Sequence, residues 1–573
     1  MVDAERSSAL SLVGVQKVWD ELARSPFVQR DLGVPIDRLP DISEEAVSAR
    51  STRAAEAIAL LDRVNTSSLS RDMETNHEVA RALANRMSRE GERYWLAFDP
   101  LGVGFFALFA PTAYGGGFLL GNVAGMLAKQ RFDASGDLDR YLGLVEDYAR
   151  IIDQMRERTI GQARRGIRMP RVQLVQSIEL IARFRAGIKS LVPAVSRLAA
   201  AGGSLAFDKI ADRVARSVDP ALGRLAATLE DSDYRASAPE AVGIGQYPGG
   251  AALYRELVSE HTTMEVSPEE VHAEGLRRMD MVRDEMAALL KQVGYSGSPQ
   301  DYRMDIERNP LWRANTPAEI EAVFRRYIAR IEPHIERMFR FRPQAPHDVA
   351  ALPEALAASM TFGYYDAPGP GQPAGRYLFN AGNLAGGPLA NIASLNYHEL
   401  VPGHHFHIAS QRENEALHPI RANALFNAFN EGWAEYAATL AGEIGMYEAP
   451  EERFGRLMMD AFLNCRLVVD TGMNALGWSL DRARTYMRDN AFMPEAEIGS
   501  ESVRYSCDIP AQSLAYKLGE QFLMDQREAM RTALGERFDI RDFHDAVLKP
   551  GALPLPLTAK NVDTAIGEVL ARS

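Results

Sequence analysis

Cysteine is nearly missing from this chain, with Cys465 and Cys507 the only two among 573 residues. Two thiols build neither a disulfide framework nor a thiolate metal cluster, and the count fits a reducing, cytoplasmic setting. Basic excess is missing too. Lys and Arg number 64 against 77 Asp and Glu, a formal charge of −13. A phosphate-binding surface needs the opposite balance, so nucleic acid is not an expected partner. No long apolar run occurs either. The most apolar segment, PLGVGFFALFAPTAYGGGFLLGNVAGML at 100–127, is broken by Pro111 and by Gly115-Gly116-Gly117, so neither half spans a bilayer. It reads as a buried loop or cleft wall. The N-terminus, MVDAERSSALSLVGVQKVWDELARSP, carries acids early and no apolar core before a small-residue site, so no signal peptide is expected. GYYDAPGPG and GNLAGGPLAN lack a P-loop lysine and dinucleotide spacing, and no G-x-S-x-G elbow appears, which disfavours nucleotide binding and serine-hydrolase chemistry.

What is present is helical periodicity. Tyr141, Leu144, Val145, Tyr148, Ile151, Ile152 and Met155 recur at three- and four-residue steps, one face of an amphipathic helix. Similar patterns run through 171–192, 205–229, 268–293 and 316–341, and SPEEV at 267–271 reads as a helix start with a Ser cap and Pro at the first position. No fixed-period repeat is found. The Pro/Gly loop DAPGPGQPAG at 366–375 separates TFGYY from RYLFNAG, two short aromatic flanks that read as strands. The expectation is a mainly α protein with a small β-sheet just ahead of a histidine cluster. An N-terminal extension covers 1–30, and a single domain covers 31–570, divided into a helical half at 31–350 and a metal-site half at 351–570.

That cluster is YHELVPGHHFH, 397–407, which holds four of the chain's 11 histidines. It opens like H-E-x-x-H, where two imidazoles one helical turn apart hold a zinc ion and the glutamate between them serves as base. Here His398 and Glu399 supply the first half, but the fifth position is Pro402. In a regular helix His405 would lie on the same face as His398 yet about 10 Å along the axis, too far to share an ion. Proline breaks the hydrogen-bond ladder. If two residues loop out, His404 becomes the second ligand, with His405 as the alternative. Glu431 in FNEGWAEYAATLAGE, 429–443, is the candidate third ligand, and Glu435 one turn later can orient a ligand.

NEGWAEY resembles the segment carrying the glutamate ligand in gluzincin metallopeptidases. HELVPGHH followed by EGWA resembles more closely still the bacterial domain-of-unknown-function 885 family. IGQYPGGAALYRELVSEHTT (244–263), CRLVVDTGMNALGW (465–478), RYSCDIPAQSLAYKLG (504–519) and FHDAVLKPGALPL (543–555) carry the likeness along most of the chain. The resemblance implies a large helical gluzincin-like body with a deep cleft, and a zinc-dependent peptidase or amide hydrolase with one Zn²⁺ per chain. His398, His404 and Glu431 would be its ligands and Glu399 its base. One departure is Asn474, which stands where the family usually has histidine.

Near the C-terminus, Arg504, Tyr505, Tyr516 and Lys517 form a polar, aromatic group. Tyr505 or Tyr516 is expected to stabilise the oxyanion, and Arg504 or Lys517 to clamp a substrate carboxylate. The strand at 376–382, with Tyr377, is expected to pair with an extended substrate. The expected substrate is a short peptide or small amide, with folded proteins excluded. Two rival classes share the same residues. A 2-His-1-carboxylate set also suits iron(II), with Glu399 a spectator, and a non-catalytic binding protein needs no activated water.

Overall fold

A computed structural model of the chain describes residues 2–102, 104–134, 136–352, 363–370, 372–381 and 389–572. Thr361, Phe362 and residues 382–388 of the glycine-rich GNLAGGPLAN stretch lie outside these. The fold is mainly α, with one three-stranded sheet among the described residues. The chain forms two compact units: Met1–Val64 with Leu83–Tyr254 and Ser506–Pro510, and Asn65–Ala82 with Arg255–Tyr505 and Ala511–Ser573. Neither is a continuous stretch, unlike the halves 31–350 and 351–570 read from sequence. No described helix is long and apolar enough to cross a membrane.

In the first unit, helix α1 (Val2–Leu22) packs on α2 (Glu44–Leu61). Gly14 lies against Leu61, and Arg53 reaches Glu21 with two 2.7 Å hydrogen bonds. The helix Val2–Leu22 thus belongs to this unit, where an extension was expected. α3 (Asp137–Arg164) buries the periodic face read from sequence, Tyr141 through Met155. The apolar segment is buried at Phe106, Leu108, Phe109, Leu119 and Leu120.

The second unit holds the histidine cluster. Helix α4 (Pro268–Gln292) begins as SPEEV predicts: Ser267 accepts from the amide of Glu270 while the Glu270 carboxylate accepts from the Ser267 amide. α5 (Pro317–Ile331) follows, capped by Thr316. Then come strands β1 (His347–Ala351), β2 (Gly363–Asp366) and β3 (Gly375–Phe379), in the order β1-β3-β2. β1 pairs parallel to β3 and β2 antiparallel, with Val349 and Tyr365 both opposite Tyr377. β3 is therefore central over 375–379, its backbone occupied on both sides. This corrects the expectation that RYLFNAG offers an edge to substrate; among the described residues β1 and β2 are the edges instead.

After the sheet, α6 (Ile392–Glu399) and α7 (His404–Glu413) carry the histidines, α8 (Asn427–Glu443) carries Glu431, and α9 (Pro450–Asn474) and α10 (Ala515–Leu534) close around them. α8 and α10 cross at glycine. A methyl on Gly432 would meet the Cα of Gly519 at 2.5 Å, and one on Gly519 would meet the carbonyl oxygen of Ala428 at 2.0 Å. Both obstacles are backbone and cannot swing aside. Gly432→Ala and Gly519→Ala should each cost at least about 1–3 kcal/mol. In the helix Glu495–Val503, where an added methyl meets nothing, Gly499→Ala should be neutral or stabilise by up to about 1 kcal/mol. Calorimetric melting checks this, and equal melting temperatures for all three would contradict the close crossing.

Candidate metal centre

The expected swollen turn is in fact a break. α6 ends at Glu399, residues 400–403 form a loop with a cis Val401–Pro402 peptide, and α7 starts at His404. The loop folds back tightly. A methyl on Gly403 would lie 1.8 Å from the carbonyl oxygen of His398, so only glycine fits there. Trp433 of α8 fixes the loop by donating its indole N–H to the carbonyl of Pro402 at 2.9 Å. As a result the His398 and His404 rings meet edge to face, with centroids 4.8 Å apart.

Glu431, at the start of α8, points at both rings. Its Oε2 is 3.6 Å from Nε2 of His398 and 3.3 Å from Nε2 of His404. Neither contact has hydrogen-bond geometry, and among the described residues this buried oxygen has no hydrogen-bond donor. One nitrogen or oxygen from each of the three residues lies within 4.8 Å of the others. With metal–ligand bonds of about 2.0–2.1 Å, two ligands of a tetrahedral zinc stand about 3.3 Å apart. The donors thus fit an ion between them: two imidazoles and a carboxylate.

His405, the alternative second ligand, is engaged elsewhere. Its Nδ1 meets the hydroxyl of Tyr365 at 2.8 Å and its Nε2 the carbonyl of Ala345 at 3.1 Å. Burial first, then the neighbouring His347, pushes its pKa down to about 3. His407, which sequence reading assigned no role, sets the other ring: its Nε2 is 3.3 Å from Nδ1 of His404. Its three-residue spacing from His404 on one helix was the available signal.

Around His398 the charges are arranged in layers. Its Nδ1 lies 2.8 Å from Oε1 of Glu435, whose other oxygen accepts from Arg456 at 2.8 Å. Arg456 also reaches Asp460 at 2.9 Å, and Lys517 donates to Asp460 at 2.7 Å and pairs with Glu520. Glu435, Asp460 and Glu520 form a second cluster of carboxylates, already supplied with two cations. Lys517 is 3% exposed and spent in this network, which corrects its expected role as a clamp for substrate. Burial opposes the His398 charge, but the carboxylates of Glu431 and Glu435 outweigh it and hold the pKa up at about 10. The Glu431 and Glu435 carboxyls are pushed well below the usual range: burial opposes this, and the neighbouring cations and imidazoles overcome it. Glu399, also buried, moves the other way, raised by burial against the pull of His398 and His404.

The remaining candidates divide. The Tyr516 ring stacks on His398 at 6.1 Å and 11°, and burial pushes its hydroxyl up to about 12. The Tyr505 hydroxyl is buried, accepting from Arg466 and bonded to Glu501, so of the two expected oxyanion donors only Tyr516 stands beside the triad. Arg504 donates to Gln512 at 2.8 Å and pairs with Glu501 at 3.4 Å. Asn474 donates to the carbonyls of Asp470 and Tyr505, each at 2.9 Å, bracing the chain after Val503. Tyr377 is buried against Phe324 and feels the charge of Glu399.

The fold and triad define a mainly α protein built around a His/His/Glu donor set. The chain belongs to a family of bacterial proteins of unknown function (DUF885), which it matches over residues 26–562. It is similar to two solved structures. One is a presumed lipoprotein of Colwellia psychrerythraea: 23% identity, 99% of each chain covered, TM-score 0.85. The other is a presumed lipoprotein of unknown function from Shewanella oneidensis: 18% identity, 96% of this chain and 98% of that one, TM-score 0.72. At these identities the likeness is one of fold. No curated protein matches the chain.

The layered charges make a pH prediction. His398 has a folded pKa above its ordinary value near 6.5, so without bound metal its stabilisation is complete below about pH 6.5 and lost as pH rises through about 10. Nitrogen-15 NMR of metal-stripped protein should find His398 still protonated at pH 8. Glu435→Gln should lower its midpoint and flatten the alkaline loss of stability. A midpoint near 6.5 in the unsubstituted protein would contradict the geometry.

Proposed function

We propose that this protein is a zinc-dependent hydrolase that cleaves peptide or amide bonds in short peptides or small amides. The observation that carries the reading is the convergence of His398, His404 and Glu431 on one point, with the buried carboxyl of Glu399 next in sequence to the first ligand. A zinc ion on these three donors would supply Lewis acidity toward a carbonyl and toward a water. Glu399 takes a proton from the water as its oxygen bonds to the carbonyl carbon. It then hands that proton to the nitrogen as the C–N bond breaks. Burial, by raising its pKa, suits Glu399 to carry a proton between those steps. Tyr516, stacked on His398, is the donor to the developing oxyanion. Glu435 and His407 hold the two imidazoles in orientation. Such a layout supports a gluzincin-type relationship, and Glu399 favours hydrolysis over iron(II) oxygenase chemistry, which gives that residue no task.

The cytoplasmic setting expected from two cysteines has less support. Both cysteines are buried and neither is in a disulfide, but the two similar structures belong to presumed lipoproteins, which weighs toward a location outside the cytoplasm.

Protein purified without added metal should contain one zinc per chain. His398→Ala, His404→Ala and Glu431→Ala should each lose most of it, and His405→Ala should keep it. Glu399→Gln should retain zinc while dipeptide turnover falls by about 10²–10⁴. Full zinc in Glu431→Ala, or unchanged turnover in Glu399→Gln, would overturn the reading.

A further inference from the structure

Of the eight residues of α6, seven are buried, and the exception is Leu395. It sits three residues before His398, on the same side of the helix. A helix buried on every side but one leaves a large apolar residue half-exposed only where something apolar comes and goes, or where nothing needs to cover it. The surroundings decide between these. Leu395 packs on a buried cluster of Met459, Phe462 and Leu463 from α9, and two other half-buried apolar side chains pack on the same cluster: Met493 and Tyr516. Tyr516 is also the ring stacked on His398. The guanidinium of Arg466, itself paired to Glu501, lies 4.9 Å from the centroid of the Tyr516 ring, so the ring is braced by a buried cation as well as by the imidazole. These partly exposed side chains thus form one apolar group that reaches the metal ligands through the Tyr516 ring on His398. It has a fixed aromatic wall, an aliphatic wall from Leu395 and an adaptable thioether from Met493.

We propose that Leu395, Met493 and Tyr516 form a subsite for one bulky apolar side chain, aliphatic or aromatic, of the substrate residue next to the bond that is cut. The occupant is a side chain and not a second protein, because three partly exposed side chains on one small cluster match a single residue, and one of them, Tyr516, stacks on the ligand His398. The inference rests on the hydrolase reading, and it narrows the substrate class to peptides with leucine-like or phenylalanine-like residues beside the scissile bond. A pocket that buries an apolar group discriminates by roughly 10–200-fold against a substrate lacking it.

The test reads binding separately from turnover. Amino-acid hydroxamates anchor on a zinc ion and project their side chain into the adjoining space. By calorimetry, the zinc-loaded protein should bind leucine and phenylalanine hydroxamates at least about tenfold more tightly than serine or glycine hydroxamates. Leu395→Asn and Met493→Ser, made separately in case one perturbs folding, should shrink that ratio to about threefold or less, with zinc content retained. Dipeptides with the same side chains are assayed in parallel. Apolar selectivity in binding without cleavage of any dipeptide would keep the subsite and sink the hydrolase reading. Cleavage with no apolar preference, in binding or in turnover, would overturn the subsite and keep the hydrolase. Selectivity unchanged in both variants, or no hydroxamate binding at all, would also overturn the subsite.

Discussion

The approach of Gly403 to the carbonyl of His398 is the constraint from which the rest of the centre follows. An H-E-x-x-H helix brings its second histidine round by regular winding. This chain does it by stopping the helix and doubling back, which only works if the backbone at 403 has no side chain. Once the loop is closed and held by the Trp433 indole, His404 starts a new helix with its ring against His398. The same fold-back turns His405 the other way, toward the sheet, where Tyr365 and Ala345 take both its nitrogens. Adjacent histidines thus have different fates because their side chains leave α7 about 100° apart.

Three carboxyls crowd the two imidazoles, and unscreened they would repel one another. The chain separates them by function. Glu431 faces the imidazole nitrogens, Glu435 is answered by Arg456, and Glu399 has its burial opposed by the two imidazoles, with burial the larger effect. The Arg456, Asp460, Lys517 and Glu520 network is costly to bury, and removing one member would strand its partners. Its position behind Glu435 makes it a foundation for the orientation of His398 more than a source of stability.

Much of this was legible in the chain, and what was not has a physical reason. Helix periodicity and the Ser267 cap are local signals and were readable directly. His398, His404 and Glu431 were reachable because metal chemistry restricts which donors can share an ion, and their side chains do converge. Partners set by helix crossings were not readable: nothing in the spacing of Glu435 and Arg456, on different helices, announces their contact. Lys517 looked free because a lysine in sequence carries no sign of burial. The order of the sheet was equally hidden, since both aromatic flanks of the Pro/Gly loop have strand character and neither says which lies in the middle. Nor does linear order reveal two interleaved units.

The glycine crossing of α8 and α10 has a mechanical meaning. Glu431 precedes Gly432 by one residue, and Tyr516 precedes Gly519 by three. With backbone against backbone at the crossing, the two helices have almost no lever arm about which to slide independently. The third ligand and the stacked tyrosine are therefore both placed from one fixed crossing point.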